Sequence, residues 1–159
     1  MKVGFIGVGF MGQHMAKHIL DGGHDLTIYD ISETAAKELI TAGAKWAPSP
    51  SKVAAASEVI FTSLPTPQDV EQVVMGEGGI LAGALEGTTF FDLSTTDPET
   101  ISRISNAAAQ KGMSVLDAPV SGGTIGAEQG TLCVMVGGDK NKYDDYKSVL
   151  DLIGNQVVY

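Results

Sequence analysis

The chain has 159 residues, a formal net charge of −9 and hydrophobic residues at 43% of its positions. This length and hydrophobic content suffice for the core of one domain and exclude a disordered protein. The acidic charge repels phosphate backbones, so nucleic acid is excluded as the expected partner. The single cysteine, Cys133, excludes a disulfide framework and is expected to be a small buried side chain. The sequence contains no run of about 18 apolar residues, so no membrane span is predicted. No secretory leader is predicted either, and we expect a cytoplasmic protein.

Short apolar runs alternate with helical periodicity along the whole chain. The predicted strands, in chain order, are Val3–Gly7, Leu26–Tyr29, Val59–Leu64, Thr89–Leu93, Ser114–Asp117, Leu132–Val136 and Val157–Tyr159. Several are continuous Val, Ile and Phe runs, which are typical of strands covered on both faces. We therefore predict one α/β domain over residues 1–159, with a doubly wound, mainly parallel sheet and helices on both faces.

Apolar stripes with a 3.6-residue period predict the helices between these strands. Three of the stripes consist of Met15, Ala16, Ile19 and Leu20, of Val70, Val73 and Val74, and of Tyr143, Tyr146, Leu150 and Ile153. For a further helix, Asp97 is the predicted N-cap and Pro98 stands in the first turn. Its predicted inner face contains Ile101, Ile104 and Ala108.

A glycine-rich turn with the pattern G-x-G-x-x-G joins the first predicted strand to the first helix. In dinucleotide-binding folds, the first glycine permits a tight turn, the second lets a pyrophosphate approach the backbone, and the third lets helix and strand pack closely. The N–H groups at the helix N-terminus then face the phosphates. The turn predicts a Rossmann-type fold, and the candidate cofactor-binding residues are Gly7, Val8, Gly9, Phe10, Met11 and Gly12.

An acidic residue, Asp30, follows the second predicted strand. A carboxylate at this place accepts hydrogen bonds from both ribose hydroxyls and repels a 2′-phosphate. The next residues are Ile31 and Ser32, so no arginine is present to receive such a phosphate. We therefore expect NAD as the cofactor, with NADP less favoured. The alternative is that Asp30 caps the next helix, and one carboxylate can do both.

Further polar or glycine-rich segments follow the later strands. Ser63–Pro67 is a loop stiffened by prolines, although an ordinary strand-to-helix turn has the same composition. Asp92–Asp97 carries hydroxyls that either reach a ligand or cap a helix. Asp117–Gly123 ends in Ser-Gly-Gly, whose N–H groups and hydroxyl form a concavity that can hold a carboxylate.

Together these segments resemble the β-hydroxyacid dehydrogenase family, which includes 3-hydroxyisobutyrate dehydrogenase and tartronate semialdehyde reductase (2-hydroxy-3-oxopropionate reductase). The opening FIGVGFMGQHMAKHIL is similar to the family's first signature, with His18 where an asparagine is usual. The run DAPVSGG followed by GTLCVMVGG is more specific than the glycine turn. The resemblance extends from Met1 to Tyr159 without an evident gap, which favours the tartronate semialdehyde reductase type.

The resemblance implies roles for the matched residues. The glycine turn would bind the pyrophosphate and Asp30 the adenosine ribose, while Leu64 and Pro65 would line the nicotinamide-side ribose. Thr95 would contact the nicotinamide end, with Ser94 nearby. By this resemblance the remaining cofactor-binding residues are Ser63, Leu64, Pro65 and Thr95, and the residues that grip the substrate carboxylate are Ser121, Gly122 and Gly123.

The family's general acid/base is a lysine in a G-x-x-G-x-G-x-x-x-K-x-x-N segment that leads into an all-helical second domain. That segment is not found before Tyr159, and Lys140, Lys142 and Lys147 are expected on a solvated face. We therefore expect no catalytic residue in this chain and no activity from it alone. The full protein would be an NAD-dependent, homo-oligomeric enzyme. It would transfer a hydride between nicotinamide and a short β-hydroxy acid or its semialdehyde.

Other functions are compatible with parts of the pattern. A non-catalytic dinucleotide-binding module has no need of the Ser-Gly-Gly loop, whereas a reductase of imines or of succinic semialdehyde would use the same cofactor-binding half. His14 and His18 have the i, i+4 spacing of zinc ligands, but no third ligand joins them, so no metal is expected. Ser121 lacks the G-x-S-x-G context of a hydrolase nucleophile.

Overall fold

The computed structural model describes residues 1–159 and contains nine strands and eight helices. The strands are β1 (Lys2–Ile6), β2 (Asp25–Tyr29), β3 (Lys45–Trp46), β4 (Val59–Thr62), β5 (Thr89–Asp92), β6 (Ser114–Asp117), β7 (Val120–Ser121), β8 (Leu132–Met135) and β9 (Gly154–Val158). The helices are α1 (Gly12–Asp21), α2 (Glu33–Thr41), α3 (Pro50–Ala55), α4 (Pro67–Met75), α5 (Ile80–Gly83), α6 (Pro98–Ala109), α7 (Gly123–Gln129) and α8 (Lys140–Ile153).

Six parallel strands form the large sheet, in the order β3-β2-β1-β4-β5-β6. The direction of winding reverses between β1 and β4, and in open α/β sheets ligands bind outside the carboxyl ends of the strands at such a reversal. Every residue of β4 and β5 is buried, as expected for strands covered on both faces. The predicted Rossmann-type fold class is confirmed.

Each face of the large sheet has its own hydrophobic core. Side chains from α1, α2 and α8 pack on the face that carries Val3 and Phe5, in a cluster of 25 buried residues. Side chains from α3 to α6 pack on the other face, which carries Ile6, in a cluster of 12. Because successive side chains of a strand point to opposite faces, β1 supplies both cores.

A second sheet contains three strands in the order β7-β8-β9. The last two predicted strands therefore form, but outside the large sheet and with shifted boundaries. In β8, Leu132 and Val134 are buried while Met135 is exposed, so helices cover only one face of this strand. The expectation that Cys133 is buried is wrong for the same reason, since it alternates onto the open face and is half-buried.

The predicted helix faces are largely confirmed. Leu20, Val73 and Tyr146 of these faces are only partly buried. On α6, Thr100 is buried together with Ile104 and Ala108, while Ile101 is only partly buried. Asp97 is the N-cap of α6 as predicted, and its side chain accepts a hydrogen bond from the Thr100 N–H.

The surface of α8 carries its lysines as predicted. Lys140 and Lys147 are about half exposed, and each pairs with an aspartate four residues later in the helix. No helix of the protein combines the length and the apolar character that crossing a membrane requires.

Candidate nucleotide-binding site

The glycine-rich turn between β1 and α1 is too tightly packed for side chains at two of its three glycines. Gly7 has a φ of 91°, and a Cβ there would lie 2.3 Å from the Ser63 carbonyl oxygen. A Cβ on Gly12 would lie 1.8 Å from the Gly7 carbonyl oxygen. Both separations are far below van der Waals contact, so the turn closes against β4 and α1 only when glycine occupies these positions.

Gly9 differs from its two neighbours in the motif. A Cβ at Gly9 would have no atom within 4 Å, so the backbone there faces open space. The N–H groups of Gly9, Phe10, Met11 and Gly12 donate no hydrogen bond within the chain, and they precede the first turn of α1. Free N–H groups at a helix N-terminus attract an anion through their hydrogen atoms and through the helix dipole. This part of the turn therefore has the geometry of a phosphate cradle.

Asp30 holds the turn from the end of β2. One oxygen of its carboxylate accepts the Val8 N–H at 2.8 Å, and the other accepts the Ser32 N–H at 2.8 Å. The N-cap of α2 is Ser32, so the alternative in which Asp30 caps that helix is wrong. Each carboxylate oxygen has more than one acceptor direction, which leaves this partly buried group able to accept further hydrogen bonds.

A cavity of about 570 Å³ lies over the turn, at the point where the winding of the sheet reverses. Nine of the predicted cofactor-binding residues line it: Gly7, Gly9, Phe10, Met11, Gly12, Asp30, Ser63, Leu64 and Pro65. The lining residues that sequence analysis missed are Ile6, Tyr29, Ile31, Asp69, Gln72 and Val73. Asp69 and Gln72 had a signal in the sequence, because they lie in the first turns of the helix that follows the proline-stiffened loop.

Five predicted site residues lie outside this cavity. The side chain of Val8 is buried in the core, and only its N–H contributes, through Asp30. Thr95 is exposed in the loop after β5. Ser121, Gly122 and Gly123 are exposed at the junction of β7 and α7. The structure therefore gathers the predicted residues of the turn, of Asp30 and of the Ser63–Pro65 loop, but not those of the later segments.

A buried carboxylate, Asp92, connects the loops at the carboxyl ends of β4 and β5. Its side chain accepts hydrogen bonds from the Thr62 hydroxyl at 2.8 Å, from the Ser94 N–H at 3.0 Å and from the Thr96 hydroxyl. The Ser94 hydroxyl in turn accepts the Leu64 N–H at 2.9 Å. These contacts fix the loop that forms one wall of the cavity.

Asp117 lies beside Asp92 on the neighbouring strand, in register with it. Its Oδ1 is buried and has no hydrogen-bond partner. Burial, followed by the negative charge of Asp92, raises the pKa of Asp117 to about 6. The carboxyl end of the sheet therefore holds two neighbouring acids, one fully hydrogen-bonded and one that takes up a proton easily.

Comparison with known proteins agrees with this geometry. Residues 2–159 match the sequence model of the family described as the NAD binding domain of 6-phosphogluconate dehydrogenase. The chain belongs to that family. This NAD-binding domain matches the family model over nearly all of its residues, so the cavity above the glycine turn is the expected place for the dinucleotide.

Two curated relatives confirm the resemblance to β-hydroxyacid dehydrogenases. The probable mitochondrial 3-hydroxyisobutyrate dehydrogenase of Dictyostelium discoideum is 42% identical over 157 residues, covering 99% of this chain and 49% of the relative. The 2-hydroxy-3-oxopropionate reductase of Escherichia coli K12 is 40% identical over 157 residues, covering 99% of this chain and 53% of the relative. The NAD-binding domain thus spans about half the length of these relatives.

A solved structure with the same fold contains a dinucleotide. It is described as Psf3 in complex with NADP+ and 2-OPP, and it superposes with a TM-score of 0.92 at 34% sequence identity. The match covers 99% of this chain and 56% of that one. Dinucleotide binding is therefore common to the fold, whereas the choice between NAD and NADP depends on residues at the ribose.

Proposed function

We propose that this domain is the cofactor-binding half of an NAD-dependent oxidoreductase that acts on a short β-hydroxy acid or its semialdehyde. The observation that carries the proposal is the row of four free N–H groups from Gly9 to Gly12, beneath a cavity large enough for a ligand. Backbone donors suit a pyrophosphate in an otherwise acidic protein, because they attract an anion locally without any lysine or arginine.

Within this proposal, the chain positions the two ends of the cofactor. The glycine turn holds the pyrophosphate and Asp30 accepts hydrogen bonds from the adenosine ribose. Ser63, Leu64 and Pro65 line the wall towards the second ribose, and Thr95 contacts the nicotinamide end. Bound nicotinamide supplies the transfer of a hydride to or from the hydroxyl-bearing carbon of the substrate.

The substrate would be held by its carboxylate at Ser121, Gly122 and Gly123. Gly122 and Gly123 have positive φ, 134° and 62°, and are exposed, so no side chain of their own shields the backbone N–H groups there. Holding the carboxylate fixes the reacting carbon relative to the cofactor, which is how orientation lowers a barrier. We assign the proton transfer to a lysine in a part of the protein outside residues 1–159, and we expect no turnover by these residues alone.

The preference for NAD over NADP is argued from Asp30. The carboxylate is held by the Val8 and Ser32 N–H groups at the edge of the cavity, and no lysine or arginine lines that cavity. A 2′-phosphate would therefore meet a negative charge without a compensating positive one.

Nicotinamide fluorescence of NADH and NADPH, titrated with this chain, tests the preference. We expect NADH to bind at least about tenfold more tightly than NADPH, since the unfavourable charge contact is worth more than about 1.4 kcal/mol. Asp30→Ala should weaken NADH binding more than NADPH binding. Tighter binding of NADPH by the unaltered chain would contradict the assignment.

The reaction itself is tested with the full-length protein. We expect NAD-dependent oxidation of 3-hydroxy acids, or NADH-dependent reduction of the matching semialdehydes, followed at the NADH absorbance band. Turnover of cyclic imines with no turnover of hydroxy acids would contradict the substrate class. Size-exclusion chromatography and cell fractionation of the same protein test two further parts of the proposal, a homo-oligomer and a cytoplasmic location.

A further inference from the structure

The imidazole of His18 joins two helices that belong to different parts of the site. His18 lies on α1, and its Nε2 is 3.1 Å from the Ala127 carbonyl oxygen and 2.9 Å from the Glu128 carbonyl oxygen. Carbonyl oxygens only accept hydrogen bonds, so Nε2 carries a hydrogen and donates it between the two. Both carbonyls belong to the last turn of α7, where carbonyl oxygens lack the usual intrahelical partners. The Ala127 oxygen also accepts the Gly130 N–H at 3.3 Å.

The surrounding backbone leaves room for this contact. Gly130 follows α7 in the left-handed conformation, with a φ of 66°. A Cβ on Gly130 would lie 3.3 Å from the Cε1 atom of His18, which is tight for a packed ring. Ala127 is also buried in the same core cluster as Met15 and Ile19 of α1. The imidazole is therefore closely packed between α1 and the C-terminal end of α7.

The two helices begin at the two halves of the proposed site. The free N–H groups of the glycine turn lead into α1, and the Ser121–Gly123 loop leads into α7. A hydrogen bond between the bodies of these helices fixes the distance between their beginnings, because each helix moves as a rigid element. No other side-chain hydrogen bond joins α7 to α1.

We infer that His18 is a positioning residue that holds the Ser121–Gly123 loop in place relative to the cofactor site. The role of this loop in substrate binding rests on the proposed function. The claim that His18 fixes the position of α7 relative to α1 does not depend on it. His18 touches neither cofactor nor substrate, and it acts through α7.

Three variants separate positioning from general stability. His18→Leu keeps the approximate volume and removes the donor. His18→Gln keeps a donor at a similar distance from the backbone and should restore the contact. His14→Leu is the matched control, because His14 is on the same helix one turn earlier and its imidazole makes no hydrogen bond.

Hydrogen exchange of the assigned amides is the first measurement. In His18→Leu, we expect the Gly130 and Thr131 amides, which close the end of α7, to exchange about tenfold faster, while amides of β1 keep their rates. His18→Gln and His14→Leu should match the unaltered protein. Equal exchange at these two amides in all four proteins would overturn the inference.

Kinetics of the full-length protein is the second measurement. For His18→Leu we expect the KM for the carboxylate substrate to rise about fivefold to tenfold, with the KM for NAD within about twofold of the original, and His18→Gln to reverse the change. An equal rise of the KM for NAD and the KM for the substrate in His18→Leu would overturn the inference. So would a substrate KM in His18→Gln that stays as high as in His18→Leu. If the unaltered protein oxidises no hydroxy acid, the proposed function fails, and the exchange data alone decide whether His18 positions α7.

Discussion

The glycines of the first turn have different physical reasons for being glycine. At Gly7 and Gly12 the reason is packing, because the missing side chain would overlap a carbonyl oxygen of the same protein. At Gly9 no atom of the protein occupies the space that a side chain would fill. Packing therefore does not explain Gly9, whereas the pyrophosphate that we propose at this backbone would.

Gly9→Ala and Gly12→Ala form a matched pair that tests this distinction. Gly9→Ala should change the free energy of unfolding by less than about 0.5 kcal/mol, as surface substitutions do, yet weaken NADH binding at least about tenfold. Gly12→Ala should lower the free energy of unfolding by more than about 2 kcal/mol because of overpacking. Urea unfolding and NADH titration give both quantities. Unchanged NADH affinity in Gly9→Ala would contradict the phosphate cradle.

Neighbouring parallel strands place residues side by side that are far apart in the sequence. Asp92 and Asp117 end β5 and β6 in register, and burial, followed by the charge of Asp92, raises the pKa of Asp117. Asp92 accepts hydrogen bonds from two hydroxyls and one N–H, whereas the Oδ1 of Asp117 has none. Of the two carboxylates, Asp117 is therefore the one that is protonated more easily.

Asp117→Asn should make the free energy of unfolding less dependent on pH. The ordinary pKa of the group is 3.8 and the folded value is about 6, so between these values the native state holds more protons than the unfolded state. The free energy of unfolding therefore falls as pH rises through this window and stays lowered above it. From about pH 4.5 to about pH 7.5, the free energy of unfolding of Asp117→Asn should rise by about 1 kcal/mol relative to that of the unaltered protein. This figure is discounted for the partial exposure of the group.

Urea unfolding at the two pH values measures this difference, and comparing the two proteins removes the contribution of every other titrating group. Glu128→Gln is a suitable control, since this exposed side chain makes no hydrogen bond and its substitution should leave the pH dependence unchanged. Parallel pH dependence in Asp117→Asn and the unaltered protein would show that Asp117 ionises normally.

The elements that sequence analysis predicts are those long enough to show a period. Strands β1, β4 and β5 were predicted with small boundary errors, and apolar stripes indicated α1, α4, α6 and α8, because four or more residues repeat one pattern. Helix α2 has a similar length but was not predicted. Strands β3 and β7 have two residues each, and α5 has four, so no period is visible in them. Their formation depends on neighbours in space, which the sequence alone does not reveal.

The candidate site divides in the same way. The glycine turn and Asp30 are local motifs at fixed spacing, and the structure places them together as the sequence predicts. The network of Asp92 joins residues about 30 positions apart, such as Thr62 and Asp92, and therefore has no local signature. His18 belongs to the same class, because its partners at the end of α7 are more than 100 residues away.

The whole domain is acidic, and the charged residues that line its cavity are acidic as well. The formal net charge is −9, and Asp30 and Asp69 are the only charged residues that line the cavity. If the dinucleotide binds as we propose, its negative charge is repelled at long range and attracted only at the backbone donors. Salt screens the long-range part most strongly, since the Debye length falls to about 8 Å at physiological ionic strength.

Added salt should consequently help this chain bind its cofactor. Between about 20 mM and about 200 mM NaCl, we expect the Kd for NADH to fall about twofold, where a protein that binds phosphates through lysine and arginine would show a rise. Fluorescence titration at several salt concentrations measures the slope. A Kd that rises more than about twofold would mean that positive side chains, rather than backbone N–H groups, hold the phosphates.

The late position of α8 in the chain has a consequence for synthesis. Strands β1 to β6 are complete at Asp117, but the face that carries Val3 and Phe5 packs against Tyr143, Leu150 and Ile153 of α8. While the chain is growing on the ribosome, the part of this apolar face that α1 and α2 do not cover stays open to water until α8 has emerged. The glycine turn is thus translated before α8, and we expect it to acquire its stable shape only after α8 has packed against the sheet.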